Sequence, residues 1–492
     1  MGPYSGSILT VGKVGSSPMD MLKGIAGLAS DSREVKPGYL FAALPGSRAD
    51  GAAFLGDAVK RGATVVLGAP AMKRDAEALG VRFVSDENPR ARLARVAAAF
   101  FGAQPKTVAA VTGTNGKTSV SVFLRQIWEA AGFKAASMGT IGVVTKDGER
   151  SLAHTTPDPI ETHRLLAEMA KDGIDHLALE ASSHGLDQYR LDGVDIAAVA
   201  FTNLTRDHLD YHADFSHYLA AKLRLFSEVA NDAAAAVVNV DAARAQDFVA
   251  ATRERGLRLL TVGTNGETLK LVSRTPHADG QTLDVVCEGR NYKIALPLAG
   301  EFQASNALVA AALAIALGQS ADQVFAALAH LKGAPGRLEK VAYAKSGAPI
   351  YVDYAHTPDA LETVLKALRP HVANKLAVVF GCGGDRDKGK RPLMGEAAAE
   401  FADRAIVTDD NPRSEEPATI RREILVGCPG AAEIGDRAQA IREGVAGLEK
   451  GDCLVIAGKG HEAGQIVGGE VRPFSDRDEA IKSAEALGGK RA

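Results

Sequence analysis

Short apolar runs alternate along the chain with longer stretches in which apolar side chains return every three or four positions. Between Gly24 and Gly102 the runs YLFAAL, ATVVLG and VRFVS alternate with AAFLGDAVKRGA and ARLARVAAAFFG, which predicts a small α/β domain. AQPKT, residues 103 to 107, reads as a linker. The run from Val108 to Val111 is short enough for a buried strand. After it, Val120, Phe123, Leu124, Ile127, Trp128 and Ala131 repeat on one helical face. Further strands are expected near Ala135 to Met138, at HLALE and IAAVAF, and in AAAVVNV, LRLLTVG, TLDVVCEG and KIALPLAG, before the helix GEFQASNALVAAALAIALG. GAPGRLEKV, residues 333 to 341, marks another boundary, after which apolar strands each run into a glycine-rich or charged loop. The expectation is three α/β domains over 1–103, 104–335 and 336–492.

The turn between the strand ending at Val111 and the helix that follows carries Gly113, Thr114, Asn115, Gly116, Lys117, Thr118 and Ser119. Free N–H groups and the dipole at a helix start attract anions, glycines let the backbone approach phosphate, and Lys117 adds a point charge. Thr118 offers a hydroxyl to magnesium. The general P-loop pattern has a glycine five positions before Gly116, where this chain has Val111. The central domain is therefore expected to be a P-loop ATPase with a mostly parallel sheet, and the last domain a Rossmann-like α/β unit.

At 492 residues the chain is long enough for several cores, and the net charge of −3 provides no bulk attraction to nucleic acid or anionic membrane. No apolar run reaches the ~18 residues of a membrane span, and no basic flank precedes a long apolar stretch at the N-terminus. Cys287, Cys382, Cys428 and Cys453 lie far apart without disulfide or zinc spacing. A cytoplasmic protein with small-molecule partners is expected, with its first seventeen, Gly- and Ser-rich residues mobile.

Glu180 ends the run HLALE. In a sheet that already carries a P-loop, a carboxylate at a strand's C-terminal end is placed to hold magnesium, or it is a surface residue. His208 and His212 lie one helical turn apart in a loop-like segment, but no second cluster with metal spacing accompanies them, which argues against zinc chemistry. In FSHYLAAKLRLFSEVA, Lys222 shares a face with Tyr218, Leu225, Phe226 and Val229. Either its stem packs while the ammonium reaches water, or burial lowers its pKa until the neutral amine can take up carbon dioxide as a carbamate. GCGGDR fails the dinucleotide spacing because Arg386 occupies the sixth position, so NAD is rejected.

TGTNGKTS resembles the ATP loop of the Mur ligases and of folylpolyglutamate synthetase, and at least five further motifs in order make the Mur ligase family the closer resemblance. DSR, GxLFxAL and the following turn are similar to the family's uridine diphosphate site, which implies roles for Ser30, Ser32, Ser47, Arg48 and Ala49. HTTPDP implies that His154, Thr155 and Thr156 approach the muramoyl peptide, with His154 standing where the family commonly has Asn. Ser182, Gln188 and Arg190 match sugar-peptide contacts. NLTRDHLDYH implies that His208 helps hold a second magnesium, and YLAAKLRLF resembles the helix that carries a carbamylated lysine, here Lys222. Asn306, Arg337, Asp353 and His356 match nucleotide contacts.

The resemblance implies an ATP- and Mg2+-dependent ligase with Lys117, Glu180, His208 and Lys222 as its catalytic set. It would add meso-diaminopimelate to the D-glutamyl side chain of UDP-N-acetylmuramoyl-L-alanyl-D-glutamate through an acyl phosphate, with no nucleic-acid partner and no membrane insertion. Diaminopimelate carries an amino-carboxylate at its far end, whereas lysine ends in an ammonium alone. Arg413 and Arg386 suit the carboxylate, and Glu462 with the Gly458 carbonyl suits the amine. Asp410, Asn411 and Pro412 complete the motif; alternatively Arg413 and Glu462 pair with each other. A lysine-adding ligase, a folylpolyglutamate-type ligase and a non-catalytic nucleotide switch are the rival readings.

Overall fold

A computed structural model describes residues 17–46, 50–205, 207 and 211–492. Ser47, Arg48, Ala49 and His208 lie outside the described residues, as does nearly all of the Gly- and Ser-rich N-terminal stretch expected to be mobile. The chain forms two compact units. The first takes the described residues up to Lys106 together with Thr156–Ile174 and Ser182–Asp195, and the second takes Thr107–Thr155, Asp175–Ala181 and Ile196–Ala492.

In the first unit Gly27–Ala29, Tyr39–Ala43, Ala63–Gly68 and Arg82–Ser85 form a parallel sheet in sequence order. Each face has its own core. Phe41, Val66, Leu55 and Ala58 belong to one, and Leu40, Val65, Leu93 and Val96 to the other. Such two-sided burial is why these strands read as continuous apolar runs rather than as alternation.

The second unit contains two large sheets. In the larger, Arg258–Gly263, Ala235–Asn239, Ile196–Phe201, Thr107–Thr112, His176–Glu180 and Ala135–Gly139 are neighbours in that order and all parallel, with antiparallel strands at both edges. One antiparallel strand, Leu269–His277, was not anticipated because only its first residue is fully covered and its apolar content is low. The P-loop strand is thus central, flanked by the strands that end at Glu180 and at Phe201. Its helix, Lys117–Ala130, buries Val120, Phe123, Leu124, Ile127 and Trp128 as the spacing predicts, but stops one residue before Ala131, which caps it and is exposed. Glu301–Ala316 is buried nearly all round and shares one core cluster with that helix and the sheet.

The helix expected through FSHYLAAKLRLFSEVA changes form midway. Phe215–Arg224 is α-helical and Leu225–Val229 is π-helical, closed by Ala230 N–H donating to Leu225 O at 3.0 Å. The wider turn keeps Leu225 and Phe226 in the core while Val229 is only half-buried. π-turns inside helices often lie at functional sites.

In the other sheet Arg404–Val407, Leu376–Phe380, Cys453–Ala457 and Pro349–Asp353 are parallel neighbours, and Glu339–Tyr343 runs antiparallel beside the last. Their C-terminal ends therefore bring together the loops carrying GCGGDR, DDNPR, GKGHE and DYAH. The four cysteines are free and buried. Among the described residues no helix is long and apolar enough to cross a membrane.

Arg437 and Asp476, both fully buried, pair through two contacts of 2.6 and 2.7 Å, and Arg437 Nη2 also donates to Ala457 O at 2.9 Å. Asp476→Ala would strand a guanidinium in the core, and urea denaturation should show a loss of about 3–5 kcal/mol. A variant as stable as the parent would mean that the pair holds nothing together.

Candidate functional site

The P-loop closes on its own lysine. Lys117 Nζ donates to Gly113 O and Thr114 O, both at 2.8 Å. The loop is clasped by residues after the neighbouring strand: Asn115 N–H donates to Asn203 Oδ1 at 2.9 Å, Thr114 N–H to Asn203 O at 2.8 Å, and Thr202 Oγ1 to Asn115 O at 2.6 Å. Gly116 is left-handed at φ +88°, and a Cβ there would lie 2.4 Å from Asn306 Oδ1. Only glycine fits between the loop and that asparagine. Asn306 Nδ2 donates to Gln303 Oε1, and Gln303 Nε2 to Arg337 O at 2.8 Å, so the residue expected near the nucleotide is linked to the loop that carries Arg337.

Lys222 is 1% exposed and its Nζ donates to the same Gly113 carbonyl at 2.7 Å, 4.6 Å from the centroid of the Tyr218 ring. The Tyr218 hydroxyl in turn meets Thr114 Oγ1 at 2.9 Å. Lys222 therefore does not reach water. Burial, helped by Lys117, drives its ammonium well below the usual lysine range, with Asp207 pulling it back. Burial also lowers Lys117, opposed by Glu180 and Asp207 and reinforced by Arg337, and it raises the Tyr218 hydroxyl to about 12.

Glu180 is 3% exposed and not a surface residue. Oε1 accepts from Thr140 N–H at 2.9 Å and Oε2 from Thr140 Oγ1 at 3.0 Å, which fixes both oxygens. Thr140 Oγ1 also meets Thr155 Oγ1 at 3.1 Å. Thr118 and Ser119 are buried in the first turn of the P-loop helix. Among the described residues no three His, Cys, Asp or Glu side chains gather into a metal cluster. Magnesium is often held by one or two carboxylates plus phosphate oxygens and water, and Thr118, Glu180 and a carbamate on Lys222 fit that donor chemistry.

In the first unit Thr156, Ser182, Gln188 and Arg190 form one network. Ser182 Oγ donates to Thr156 Oγ1 at 3.0 Å, Arg190 Nη1 to Thr156 O at 2.6 Å, and Arg190 Nη2 to Gln188 Oε1 at 2.8 Å. Ser182 also caps the short helix Ser183–Asp187. His154 and Ser30 are exposed. Ser32 is buried; its hydroxyl bonds to Asp57 and, with Arg61, holds that carboxyl below the usual carboxylate range.

Asp353 is buried, with Oδ2 accepting from Leu338 N–H at 2.6 Å and Oδ1 from Ala355 N–H at 2.8 Å. Burial raises its carboxyl to about 6 against the pull of Arg337 and these N–H groups. The Arg337 guanidinium stacks 4.8 Å over the Tyr354 ring, and Tyr354 lies 4.7 Å from the ring of exposed His356, whose Nδ1 pairs with Tyr354 O at 2.8 Å.

Among the C-terminal loops, Arg413 Nη1 donates to Gly384 O at 2.7 Å, while Glu462 accepts from Asn411 Nδ2 at 3.1 Å and lies 3.6 Å from Lys459 Nζ. Arg413 and Glu462 are therefore not spent on each other. Arg386 is exposed. A Cβ on Gly384 would meet Pro412 O at 1.9 Å, and one on Gly458, at φ +122°, would meet Asp410 Oδ2 at 2.5 Å. These glycines are required by loops running against each other, which explains a glycine run without dinucleotide spacing. Sequence reasoning missed Thr140, Thr202, Asn203 and Lys459. Each lies just after the end of a strand, and the signal was that placement.

Family profiles match most of the chain: "Mur ligase family, catalytic domain" at residues 24–101, "Mur ligase middle domain" at 111–314 and "Mur ligase, glutamate ligase domain" at 336–460. A protein of Bradyrhizobium diazoefficiens named UDP-N-acetylmuramoyl-L-alanyl-D-glutamate--2,6-diaminopimelate ligase is 55% identical over 94% of this chain and 95% of its own length. One of the same name from Caulobacter vibrioides is 54% identical over 94% and 96%. A solved structure with that name superposes with a TM-score of 0.72 at 35% identity, covering 94% of this chain and 95% of the other. The folylpolyglutamate synthase of Mycobacterium tuberculosis shares the fold, with a TM-score of 0.59 at 20% identity over 74% and 91%. With three successive family profiles and relatives above half identity along nearly its full length, this chain belongs to the Mur ligase family.

Proposed function

We propose that this protein is a cytoplasmic ATP-dependent ligase that joins meso-2,6-diaminopimelate to the D-glutamyl side-chain carboxylate of UDP-N-acetylmuramoyl-L-alanyl-D-glutamate. Residues 1–103 would bind the muramoyl nucleotide, 104–335 ATP, and 336–492 the amine. The observation that carries this reading is the convergence of Lys117 and buried Lys222 on the Gly113 carbonyl, beside a carboxylate, Glu180, fixed at both oxygens. The chemistry is transfer of the γ-phosphoryl group to the glutamyl carboxylate, then attack by the amine on the acyl phosphate, releasing phosphate.

Positioning and charge neutralisation are the main demands of phosphoryl transfer. Lys117 would leave its loop carbonyls for the β- and γ-phosphates, with Arg337 approaching from its Tyr354 stack. Mg2+, held through Thr118, Glu180, His208 and Lys222 as its carbamate, would neutralise charge on the phosphoryl oxygens. Carbamylation suits Lys222 because its depressed ammonium readily loses one proton to give the neutral amine; carbon dioxide adds to that amine, a second proton leaves, and a buried cation becomes an anion. The network of Thr156, Ser182, Gln188 and Arg190 would hold the sugar peptide, with His154, Thr155, Ser30, Ser32, Ser47, Arg48 and Ala49 contributing along the nucleotide.

The deciding assay is ADP release across a panel of amino acids. Release should require both the UDP-muramoyl dipeptide and meso-diaminopimelate, with lysine a poor substitute. Arg413→Ala should raise the KM for diaminopimelate about thirty-fold to a few thousand-fold, the cost of breaking a buried charge pair, and leave that for ATP near the parent value. ADP release without an amine, or equal use of lysine, would sink the assignment.

Lys222→Ala should abolish turnover and regain part of it with short-chain carboxylic acids. Protein equilibrated with 13C-bicarbonate should show a carbamate resonance that the variant lacks; a variant with parental activity would refute the role.

The Asp353 carboxyl, at about 6, lies above its ordinary value of 3.8. The native state therefore holds the extra proton between these values, so this group favours folding at low pH and loses that contribution as pH rises towards 6. Activity should move the other way, because ionised Asp353 orients the Leu338 and Ala355 N–H groups beside Arg337. kcat/KM for ATP should show an acidic limb near pH 6 that Asp353→Asn removes. An unchanged limb in the variant would assign it to another group.

A further inference from the structure

One buried cation near the C-terminal loops has no place in the reading above. Arg391, near the start of the helix Lys390–Phe401, has a fully buried side chain. Nη1 donates to Glu415 Oε2 at 3.1 Å and Glu423 Oε2 at 2.6 Å, and Nη2 to Glu415 Oε1 at 2.9 Å and Gly383 O at 3.5 Å. Burying a guanidinium is costly even when paired, and an apolar side chain of similar volume would fill the same space without that cost. An apolar residue could not hold Glu415 in place.

Glu415 is where the arrangement turns towards the pocket. Besides Arg391, its Oε1 accepts the Asp385 N–H at 2.7 Å, and these two partners hold the carboxyl at about 2, so it stays ionised. The Asp385 carboxylate returns the connection, accepting from Ser414 N–H at 3.2 Å and Ser414 Oγ at 2.6 Å. The GCGGDR and DDNPRSE loops are thereby cross-tied around two residues in the left-handed region, Asp385 at φ 54° and Arg413 at φ 53°. Non-glycine residues persist there when their surroundings over-determine them. Between them Gly384 N–H donates to Asn411 O at 2.9 Å, and Gly384 O receives Arg413 Nη1. On its other side the Arg413 backbone is strapped to the hairpin Gly464–Pro473: its N–H donates to Ile466 O at 3.0 Å and its carbonyl accepts from Gly468 N–H at 2.7 Å.

We propose that Arg391 and Glu415 are positioning residues for amine selection: the pair locks Asp385 and Gly384, and the Gly384 carbonyl aims the Arg413 guanidinium at the far carboxylate of the diamino acid. The inference rests on the proposed function, since it takes the C-terminal loops to be the amine pocket. Neither residue touches substrate; both act through Arg413.

The test uses the full chain and three variants, Arg391→Lys, Arg391→Met and Glu415→Gln, with steady-state kinetics in each substrate. Lysine has one point charge and cannot grip two carboxylates as the planar fork does. A displaced Arg413 should raise the KM for meso-diaminopimelate about ten- to a hundred-fold and shrink the preference for diaminopimelate over lysine, with the KM for ATP unchanged. A purely structural role would instead lower the active fraction, reducing kcat for every substrate at constant KM. That result, or a KM for ATP rising in step, would overturn the proposal. Glu415 is half-buried, so Glu415→Gln carries the test if the Arg391 variants do not fold. If the parent enzyme does not use diaminopimelate the proposed function fails; if it does and the variants keep its KM, the clamp fails.

Discussion

One carbonyl oxygen, that of Gly113, receives two lysine ammonium groups, and much of the larger unit is arranged to permit it. Burial and the nearby charge of Lys117 depress the Lys222 ammonium, and the loop lowers that repulsion by presenting oxygens to both. Gly113 must be glycine for this: a Cβ would lie 1.9 Å from Thr202 Oγ1. The strand ending at Phe201 therefore has to lie beside the P-loop strand, and the helix bearing Lys222 has to return over it. Parallel neighbours on both sides of a central strand make that return possible, because every strand end opens onto the same edge.

The sequence made the strand, glycine turn and helix of the P-loop legible because a buried parallel strand reads as an uninterrupted apolar run and its helix as a clean stripe. Lys222 was legible for the opposite reason, as a charge on an apolar face. What stayed hidden was the partnership of each group. Nothing in HLALE says that Thr140, forty residues earlier, donates twice to Glu180. That contact exists because Ala135–Gly139 pairs in parallel with His176–Glu180, a register visible only once the sheet is assembled. The π-turn at Leu225–Val229 was equally hidden, since Leu225 and Phe226 fit an α-helical stripe as well as a widened one.

In the C-terminal loops the motif residues differ in how their side chains are tied. Arg413 is held by one backbone carbonyl through a single nitrogen and Arg386 is exposed, so both have donors to give a ligand. Asn411 is different. Its Oδ1 accepts from Lys459 Nζ at 2.8 Å and from Ile466 N–H at 3.0 Å, which obliges its Nδ2 to face Glu462.

Asn411 thus fixes the orientation of a carboxylate, and buried Lys459 is what makes the fixing rigid. Burial lowers the Lys459 ammonium while Asp410 and Glu462 pull it back up, so the lysine depends on the loop carboxylates for its charge. Arg391 and Glu415 stand in the same relation on the side of Arg413. A diamino acid offers its far carboxylate and ammonium only a few bonds apart, so the groups that receive them must be held at matching separation before binding. In the amine pocket proposed above, two buried cations, each tied to a carboxylate, would set that separation in advance, with their desolvation cost carried by the fold rather than by the substrate.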